Sequence, residues 1–246
     1  MNISKTLGMS WRVAKDNPMV IVPMLAASVF GVVLSLIVVG SAVPTIAGFG
    51  DDPSAITSEE AIAGIGAAIG SGFLVSVISG IVGLLAHGMT VAMADLALRG
   101  ESATLAAGWA RFTPRLIPVI IASILVGVLV GLGTILLVLP GIVVGFLLIF
   151  TIVAVVVDDL GPGGAMSRSA KTVTQNFGAT FVFFLVVLGL GILAGIASAI
   201  VGTIPFLGAI LTMIVSAAFT GFLTIFTLAT YRMLSRSSED EPDAHA

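Results

Sequence analysis

The chain alternates between long apolar runs and short polar stretches, and the apolar runs have the length of membrane-spanning helices. About 20 predominantly apolar residues cross a hydrocarbon layer of about 30 Å as a helix. The apolar runs cover residues 19–43, 72–98, 116–139, 142–157, 179–204 and 206–231. This pattern predicts an all-α fold, a polytopic membrane helix bundle with six transmembrane helices.

Very short connections separate two pairs of these runs. Leu139-Pro140-Gly141 separates the third run from the fourth, and a turn around Pro205 separates the fifth from the sixth. A proline lacks the backbone donor that a continuing helix needs, so each connection predicts a tight turn. We therefore expect the six spans to form three hairpins. The fourth run is the shortest, and as a helix it would be about 24 Å long.

Each hairpin is preceded by a polar stretch with apolar residues at helical spacing. These residues are Ile3, Leu7, Trp11 and Ala14, then Leu105, Trp109, Phe112 and Leu116, then Met166, Ala170, Val173 and Phe177. The spacing predicts three amphipathic interfacial helices whose apolar stripes lie on the bilayer. Trp11 and Trp109 are expected to be interfacial anchors, because tryptophan favours the membrane–water boundary.

The same order of elements recurs three times and predicts an internal repeat of one interfacial helix and one hairpin. An offset of 98 aligns Leu7 with Leu105 and Trp11 with Trp109, and an offset of 159 aligns Ser10 with Ser169. We expect one membrane domain over residues 1–236, divided into units 1–98, 99–159 and 160–236. Residues 237–246 are acidic and are predicted to be a disordered tail.

The positive charges predict the orientation of the bundle. The ten lysines and arginines occur in four groups: Lys5, Arg12 and Lys15; Arg99, Arg111 and Arg115; Arg168 and Lys171; Arg232 and Arg236. With six spans, all four groups lie on one side, and the longest opposite loop carries Asp51, Asp52, Glu59 and Glu60. The positive-inside rule makes the basic side cytoplasmic. We expect a multi-pass protein of the cell membrane with both termini in the cytoplasm.

Composition excludes a water-soluble fold. Hydrophobic residues make up 58% of the chain and charged residues 9%, and mean hydropathy is +1.20. Soluble domains carry about 25% charged residues. The absence of cysteine excludes disulfides and thiol nucleophiles. No pattern indicates a cofactor, a metal site or a nucleic-acid partner. The glycine-rich stretch after Asp159 lacks the strand and the Lys-Ser/Thr pair of a phosphate-binding loop.

The stretch from Leu139 to Gly178 resembles a signature found in six-span prokaryotic membrane proteins. The matching features are Leu139-Pro140-Gly141, Asp158, Gly161-Pro162, Ala165, Arg168-Ser169 and Asn176-Phe177. The group includes the membrane domain of some bacterial glycerophosphodiester phosphodiesterases and its stand-alone relatives. The resemblance implies a six-helix membrane fold. It carries no enzymatic activity, because the chain has no phosphodiesterase catalytic domain.

Four ionisable residues within or at the ends of the spans are candidate functional residues, because charge in lipid costs about 2–3 kcal/mol or more. His87 could relay protons or bind a ligand, or it could hydrogen-bond a neighbouring helix, which we favour. Asp95 precedes Arg99 by four residues and is expected to pair with it. Asp158 and Asp159 end the fourth span, where the helix dipole disfavours acids. They are expected to pair with Arg168 or Lys171, with a cation or substrate site as the alternative.

Small residues recur at four-residue spacing in three spans, at Gly127/Gly131, Gly191/Gly195 and Ala217/Gly221. Such residues permit close approach of helices in membranes. They could build the bundle of one chain or a homo-oligomer, and the first interpretation needs no further assumption.

Three functions are compatible with these features. The preferred one is a non-enzymatic protein that binds or organises anionic lipids of the inner leaflet, or anchors an unidentified membrane partner. The candidate lipid contacts are Lys5, Arg12, Lys15, Arg111, Arg115, Arg168 and Lys171. The second is a transporter or channel for a small or lipid-like solute, since many transporters contain internal repeats. The third is a lipid-modifying enzyme, for which the chain lacks clustered acids and histidines.

Overall fold

A computed structural model of the chain describes residues 3–47, 59–204 and 207–239. Within these residues the regular structure is helical throughout, without a β-strand. Six segments are long and apolar enough to cross a membrane: Pro18–Val38, Gly66–Leu98, Leu105–Leu136, Val138–Val157, Phe177–Gly202 and Gly208–Arg236. The predicted all-α class and the six spans are confirmed, and the chain has the character of a multi-pass membrane protein. Of the predicted tail 237–246, residues 237–239 belong to the last helix of the described chain. Asp51, Asp52, the predicted turn at Pro205 and residues 240–246 lie outside the described residues.

The described chain contains ten α-helices and two short 3-10 helices. In chain order the α-helices are α1 (Ile3–Asp16), α2 (Val22–Ala47), α3 (Glu59–Leu98), α4 (Leu105–Phe112), α5 (Leu116–Leu136), α6 (Val138–Leu147), α7 (Thr151–Val157), α8 (Pro162–Gln175), α9 (Phe177–Gly202) and α10 (Gly208–Glu239). The 3-10 helices are Pro18–Ile21 before α2 and Thr113–Arg115 before α5.

Local sequence explains where the short helices begin and end. Asn17-Pro18 ends α1, because the residue before a proline is disfavoured in the helical region. The Thr104 hydroxyl caps α4 by accepting a hydrogen bond from the Ala107 N–H over 3.2 Å. Pro162 occupies the first position of α8, where its missing N–H costs nothing.

The turn between the third and fourth spans lies earlier than predicted. The helix breaks at Leu137, which has an extended backbone, and Pro140 and Gly141 belong to the first turns of α6. A proline near a helix start is tolerated because the first N–H groups have no partner within the helix. Gly133 and Gly141 let α5 and α6 meet here, since a Cβ at Gly133 would lie 2.9 Å from the Gly141 Cα.

The fourth span is interrupted, which the apolar run did not predict. Between α6 and α7 the chain turns at residues 148–150. The Ser169 hydroxyl from α8 fits into this break: it accepts from the Phe150 N–H over 3.1 Å and donates to the Leu147 carbonyl over 2.8 Å. Backbone groups freed within a membrane must find such partners, because lipid offers none. Ser169 therefore replaces the helical hydrogen bonds that the turn removes.

The protein core lies toward one end of the bundle, and the opposite half exposes apolar side chains. The largest core cluster takes in the end of α3 around Met93, α7 around Val155, the second half of α10 around Phe226, and the rings of Phe112 and Phe150. In the other half, large side chains such as Ile135, Leu139 and Ile200 point away from the protein. A surface of this kind is stable only in contact with lipid or another apolar surface.

The faces of α1 and α8 that pack against protein differ from the predicted apolar stripes. Thr6, Ser10 and Ala14 form the buried face of α1, whereas Trp11 is 63% exposed. In α8, Ala165, Ser169, Thr172 and Val173 are buried, so the expectation that Val173 faces the bilayer is wrong. Small and hydroxyl-bearing side chains let these helices approach the bundle closely, and a count of apolar positions misses them.

The small-residue pairs have different environments. A Cβ added at Gly221 would lie 3.1 Å from the Ile21 side chain, so α10 approaches the start of α2 closely there. Nothing lies within 4 Å of the corresponding positions at Gly127, Gly131, Gly191 and Gly195. Of the two interpretations, the bundle of one chain therefore fits the pair on α10, whereas the glycine pairs on α5 and α9 make no close contact within the described chain.

Candidate functional site

Asp95, near the end of α3, is the centre of the charged end of the bundle. Its side chain is completely buried and faces three arginines. Arg99 Nε lies 3.0 Å from its Oδ2, and Arg111 Nη2 donates to the same oxygen over 2.8 Å. Arg232 Nη2 donates to Oδ1. One carboxylate thus joins α3, α4 and α10 at a single point.

The sequence predicted one of these three contacts. The Asp95–Arg99 pair at i,i+4 is confirmed. Arg111 and Arg232 are 16 and 137 residues away from Asp95, and local spacing gives no signal for either pair. The sequence indicated these contacts only indirectly. It predicted that all three arginines lie on the same side of the membrane, and therefore at one end of the bundle.

Asp158 and Asp159 bind different helices although they are adjacent in sequence. Asp158 caps the end of α7, where its Oδ2 accepts from the Tyr231 hydroxyl and lies 3.8 Å from Arg168 Nε. Asp159 has a left-handed backbone, with φ 58°, and its Oδ1 lies 3.1 Å from Arg115 Nε. The left-handed turn directs the second acid away from the first. The expected pairing with Arg168 holds for Asp158, whereas Asp159 pairs with Arg115.

The arginine–aspartate cluster combines these contacts and carries an excess of positive charge. Its members are Asp95, Asp158, Asp159, Arg99, Arg111, Arg115, Arg168, Arg232 and Arg236. Asp158 and Asp159 each pair with one arginine, whereas Asp95 pairs with three arginines. Within the described side chains, no acid pairs with Arg236. The cluster therefore favours an additional anion.

A cavity of about 510 Å³ opens into this cluster. It is lined by Leu98, Arg99, Val157, Asp158, Arg168, Arg232, Ser235 and Arg236. Four of these eight residues are arginines, whose guanidinium groups supply several N–H donors each. The Ser235 hydroxyl donates to the Arg232 carbonyl over 3.4 Å. We call this the arginine cavity.

A second cavity, of about 420 Å³, adjoins the first and is mainly apolar. It is lined by Lys5, Thr6, Met9, Leu98, Ala229, Arg232, Met233 and Arg236. Leu98, Arg232 and Arg236 belong to both cavities. We call it the methionine cavity; together the two offer a cationic compartment beside an apolar one.

His87 lies on α3, away from these cavities, and its side chain contacts α10. Its Nδ1 is 3.2 Å from the Thr224 hydroxyl oxygen, and that hydroxyl also donates to the Thr220 carbonyl over 2.9 Å. Its neighbour Ala86 belongs to a small apolar cluster with Met24 and Ala217. This is the contact with a neighbouring helix that we favoured for His87.

The candidate lipid contacts fall into two groups. Arg111, Arg115 and Arg168 are half-buried and point to the three aspartates. Arg12, Lys15 and Lys171 are exposed. Lys5 is exposed as well and lines the methionine cavity.

The tryptophans are both largely exposed, as residues at a membrane surface would be. Trp109 is 50% exposed, and Trp11 contacts Phe222 edge to face with ring centroids 6.1 Å apart. Within the described part of the chain, histidine and acidic side chains form no group of three that could hold a metal ion. Among the described residues, the charged groups that come together are therefore mainly the guanidinium groups of arginines.

Comparison with known proteins places the chain in a family without assigning an activity. No curated protein and no solved structure is significantly similar to it. One family model matches the chain. This match shows no link to the membrane domain of glycerophosphodiester phosphodiesterases, and the resemblance to that domain stays a prediction. The matching model covers residues 1–234, which include five of the six spans in full, the sixth span as far as Leu234, and every aspartate of the cluster. The chain therefore belongs to the DUF7847 family, a domain of unknown function.

Proposed function

We propose that this chain is a non-enzymatic membrane protein that binds anionic lipids of the inner leaflet through the charged end of its bundle. The observation that carries the proposal is the surplus of basic side chains: three arginines share the Asp95 carboxylate, and Arg12, Lys15 and Lys171 are exposed for headgroups. Lipid phosphates are the abundant anions at a membrane surface, and each lysine or arginine near an anionic surface contributes about 1 kcal/mol.

In this proposal the charged end faces the cytoplasm. Contacts between Asp95, Arg111 and Arg232, and between Asp159 and Arg115, bring the basic groups of α3, α4 and α10 together. Concentration of cations at one end is what the positive-inside rule requires of the cytoplasmic side. Both termini of the described chain belong to helices that pack at this end, since the Thr6 hydroxyl on α1 donates to the Met233 sulfur on α10.

The proposal includes three hairpins, each preceded by an interfacial helix. Packing of α2 on α3, of α5 on α6 and of α9 on α10 supports the hairpins. The registers of the predicted repeat align Ser10, Gly108 and Ser169, and all three are buried. Equivalent small residues at the protein-facing positions of α1, α4 and α8 support a threefold unit.

Two sets of side chains would contact lipid. Exposed Arg12, Lys15 and Lys171 provide charge for headgroups. Trp11 and Trp109 provide rings for the boundary between headgroups and acyl chains. Arg111, Arg115 and Arg168 act differently, because their ion pairs with aspartates fix the positions of α4 and α8 instead.

Lipid selectivity tests this proposal. Electron paramagnetic resonance would compare spin-labelled phosphatidylglycerol with phosphatidylcholine at the surface of the full chain in liposomes. We expect the anionic lipid to be enriched, and we expect a variant with Arg12, Lys15 and Lys171 replaced by Gln to lose much of the enrichment. The matched control exchanges lysine and arginine at the same positions and should retain it. Equal affinity of the unaltered chain for both lipids would contradict the proposal.

A transporter is the second candidate, and the interrupted fourth span favours it. Broken helices line the substrate sites of many transporters. Here, however, Ser169 satisfies the backbone groups of the break. The chain lacks cysteine, so Thr224→Cys would report on solvent access beside His87. Reaction of this cysteine with a small hydrophilic thiol reagent would support a water-filled path, and protection would support a closed bundle.

A further inference from the structure

We propose that the arginine cavity binds the phosphate group of a single anionic phospholipid, with an acyl chain of that lipid in the methionine cavity. This inference rests on the proposed lipid-binding function and assigns it a specific site. Both cavities are within the range of about 300–1,000 Å³ typical of small-molecule sites. Because they share Leu98, Arg232 and Arg236, one molecule could occupy both.

The arginines that line the arginine cavity retain donors for a phosphate. A guanidinium group has five N–H donors. Arg99 approaches Asp95 through Nε and Arg232 donates to it through Nη2, so other N–H groups of each remain for the cavity. Contact with Asp95 fixes the ends of both side chains. A phosphate would therefore meet donors that are already positioned, which lowers the entropy lost on binding.

The charge around the cavity favours a phosphate over a neutral ligand. Arg99, Arg111 and Arg232 repel one another, and Asp95 compensates one of their three charges. A phosphomonoester brings about 1.5 to 2 negative charges at neutral pH, against one for a phosphodiester. We therefore expect phosphatidic acid to bind more tightly than phosphatidylglycerol, and both to bind more tightly than phosphatidylcholine.

The single acid of the arginine cavity does not oppose this assignment. Asp158 accepts from the Tyr231 hydroxyl and pairs with Arg168. Its charge is thus directed to the α7–α8–α10 junction. Arg236, by contrast, is exposed and has no acidic partner among the described side chains. Substitution of Arg236 should therefore change the charge of the cavity with the least effect on folding.

The methionine cavity favours a lipid over a free phosphate. Met9, Leu98, Ala229 and Met233 contribute apolar groups to its lining, and Lys5, Arg232 and Arg236 contribute basic ones. Methionine side chains adapt to flexible apolar ligands such as an acyl chain. Inorganic phosphate would leave this apolar surface unused.

Calorimetry of the full chain in phosphatidylcholine nanodiscs tests the assignment. The titrants are a short-chain phosphatidic acid, a short-chain phosphatidylcholine and inorganic phosphate, with empty nanodiscs as background. We expect saturable binding of about one phosphatidic acid per chain, much weaker binding of phosphate and none of phosphatidylcholine. Arg236→Gln should weaken phosphatidic acid binding about tenfold or more, as expected for a lost charge-assisted hydrogen bond. Gln175→Glu lowers the net charge by the same one unit at an exposed position of α8 outside both cavities. It is the matched control and should leave phosphatidic acid binding unchanged.

Met9→Trp tests the contribution of the acyl chain separately from that of the phosphate group. Met9 is exposed on α1 and lines the methionine cavity, so a tryptophan there should fill the cavity without disturbing the core. We expect weaker phosphatidic acid binding and unchanged phosphate binding. Equal binding of phosphate and phosphatidic acid, with no effect of Met9→Trp, would instead assign a soluble phosphate and overturn the lipid site. Equal losses in Arg236→Gln and Gln175→Glu would show that only the overall surface charge matters. That result would overturn this site and leave the proposed function standing.

Discussion

Asp95 and Arg232 are 137 residues apart, yet their side chains form a hydrogen-bonded ion pair that joins the end of α3 to the end of α10. Arg111 binds the same carboxylate from α4. An acid with no exposed surface must be compensated, because an unpaired charge in a protein interior costs several kcal/mol. The position of three helices at the charged end thus depends on one side chain.

Asp95→Asn should therefore destabilise the protein strongly. The substitution keeps the shape of the side chain but leaves Arg99, Arg111 and Arg232 without a counter-charge. Loss of one partner of a buried pair costs about 3–5 kcal/mol, and we expect the lower end because the arginines are partly exposed. Denaturant unfolding in detergent micelles, followed by circular dichroism, would measure the loss.

Asp159→Asn is the control for that measurement. The Asp159 side chain is 73% exposed, whereas its partner Arg115 is 16% exposed and also donates to the Arg111 carbonyl over 2.7 Å. Because water screens the exposed carboxylate and Arg115 keeps its second partner, the change in unfolding free energy should be about 1 kcal/mol or less. Similar effects of the two substitutions would show that the contact of Asp95 with three arginines has no special role in stability.

The difference between these two acids shows what sequence patterns could predict. The six spans follow from apolar runs, and the Asp95–Arg99 pair follows from helical spacing, because both are local properties. The contacts of Asp95 with Arg111 and Arg232 depend on how distant helices pack. No periodicity encodes that packing, so the sequence identified Asp95 as a candidate without indicating that it is the centre of a site.

Ser169→Ala tests whether the break in the fourth span depends on one hydroxyl. The substitution leaves the Phe150 N–H and the Leu147 carbonyl without their partner. An unsatisfied buried polar group costs about 1–3 kcal/mol, so we expect a loss of about 2 kcal/mol and faster amide exchange at Phe150. Hydrogen-exchange mass spectrometry of the purified protein would detect the second effect. Ser167→Ala, an exposed serine on the same helix, should change neither quantity.

The break itself illustrates a limit of hydropathy. Residues 142–157 form one continuous apolar run, and nothing in their composition indicates a turn at 148–150. The turn becomes stable because Ser169, about 20 residues later, supplies a donor and an acceptor at the right place. A polar residue on one helix thus determines the geometry of an apolar neighbour.

Gly88→Ala should loosen the contact between α3 and α4. A Cβ at Gly88 would lie 2.3 Å from Cε2 and 2.8 Å from Cζ of Phe112, whose ring is completely buried. Moving a packed ring to make room costs about 1–3 kcal/mol. Gly80→Ala on the same helix has nothing within 4 Å of the new atom and should be neutral or slightly stabilising, because alanine favours helices. A thermal unfolding series of the two variants would separate steric cost from helix propensity, and equal midpoints would contradict the close packing of Phe112.

The proposed orientation makes a prediction about labelling in intact cells. Because the chain has no cysteine, single substitutions give an unambiguous signal. Ser102 is exposed in the connection between α3 and α4, beside the arginine–aspartate cluster, whereas Thr203 is exposed after α9 at the opposite end. Cations are retained on the cytoplasmic side, so a membrane-impermeant maleimide should label Thr203→Cys and leave Ser102→Cys unmodified until the cells are opened. The reverse pattern would place the arginine cavity at the outer leaflet and contradict binding of inner-leaflet lipids.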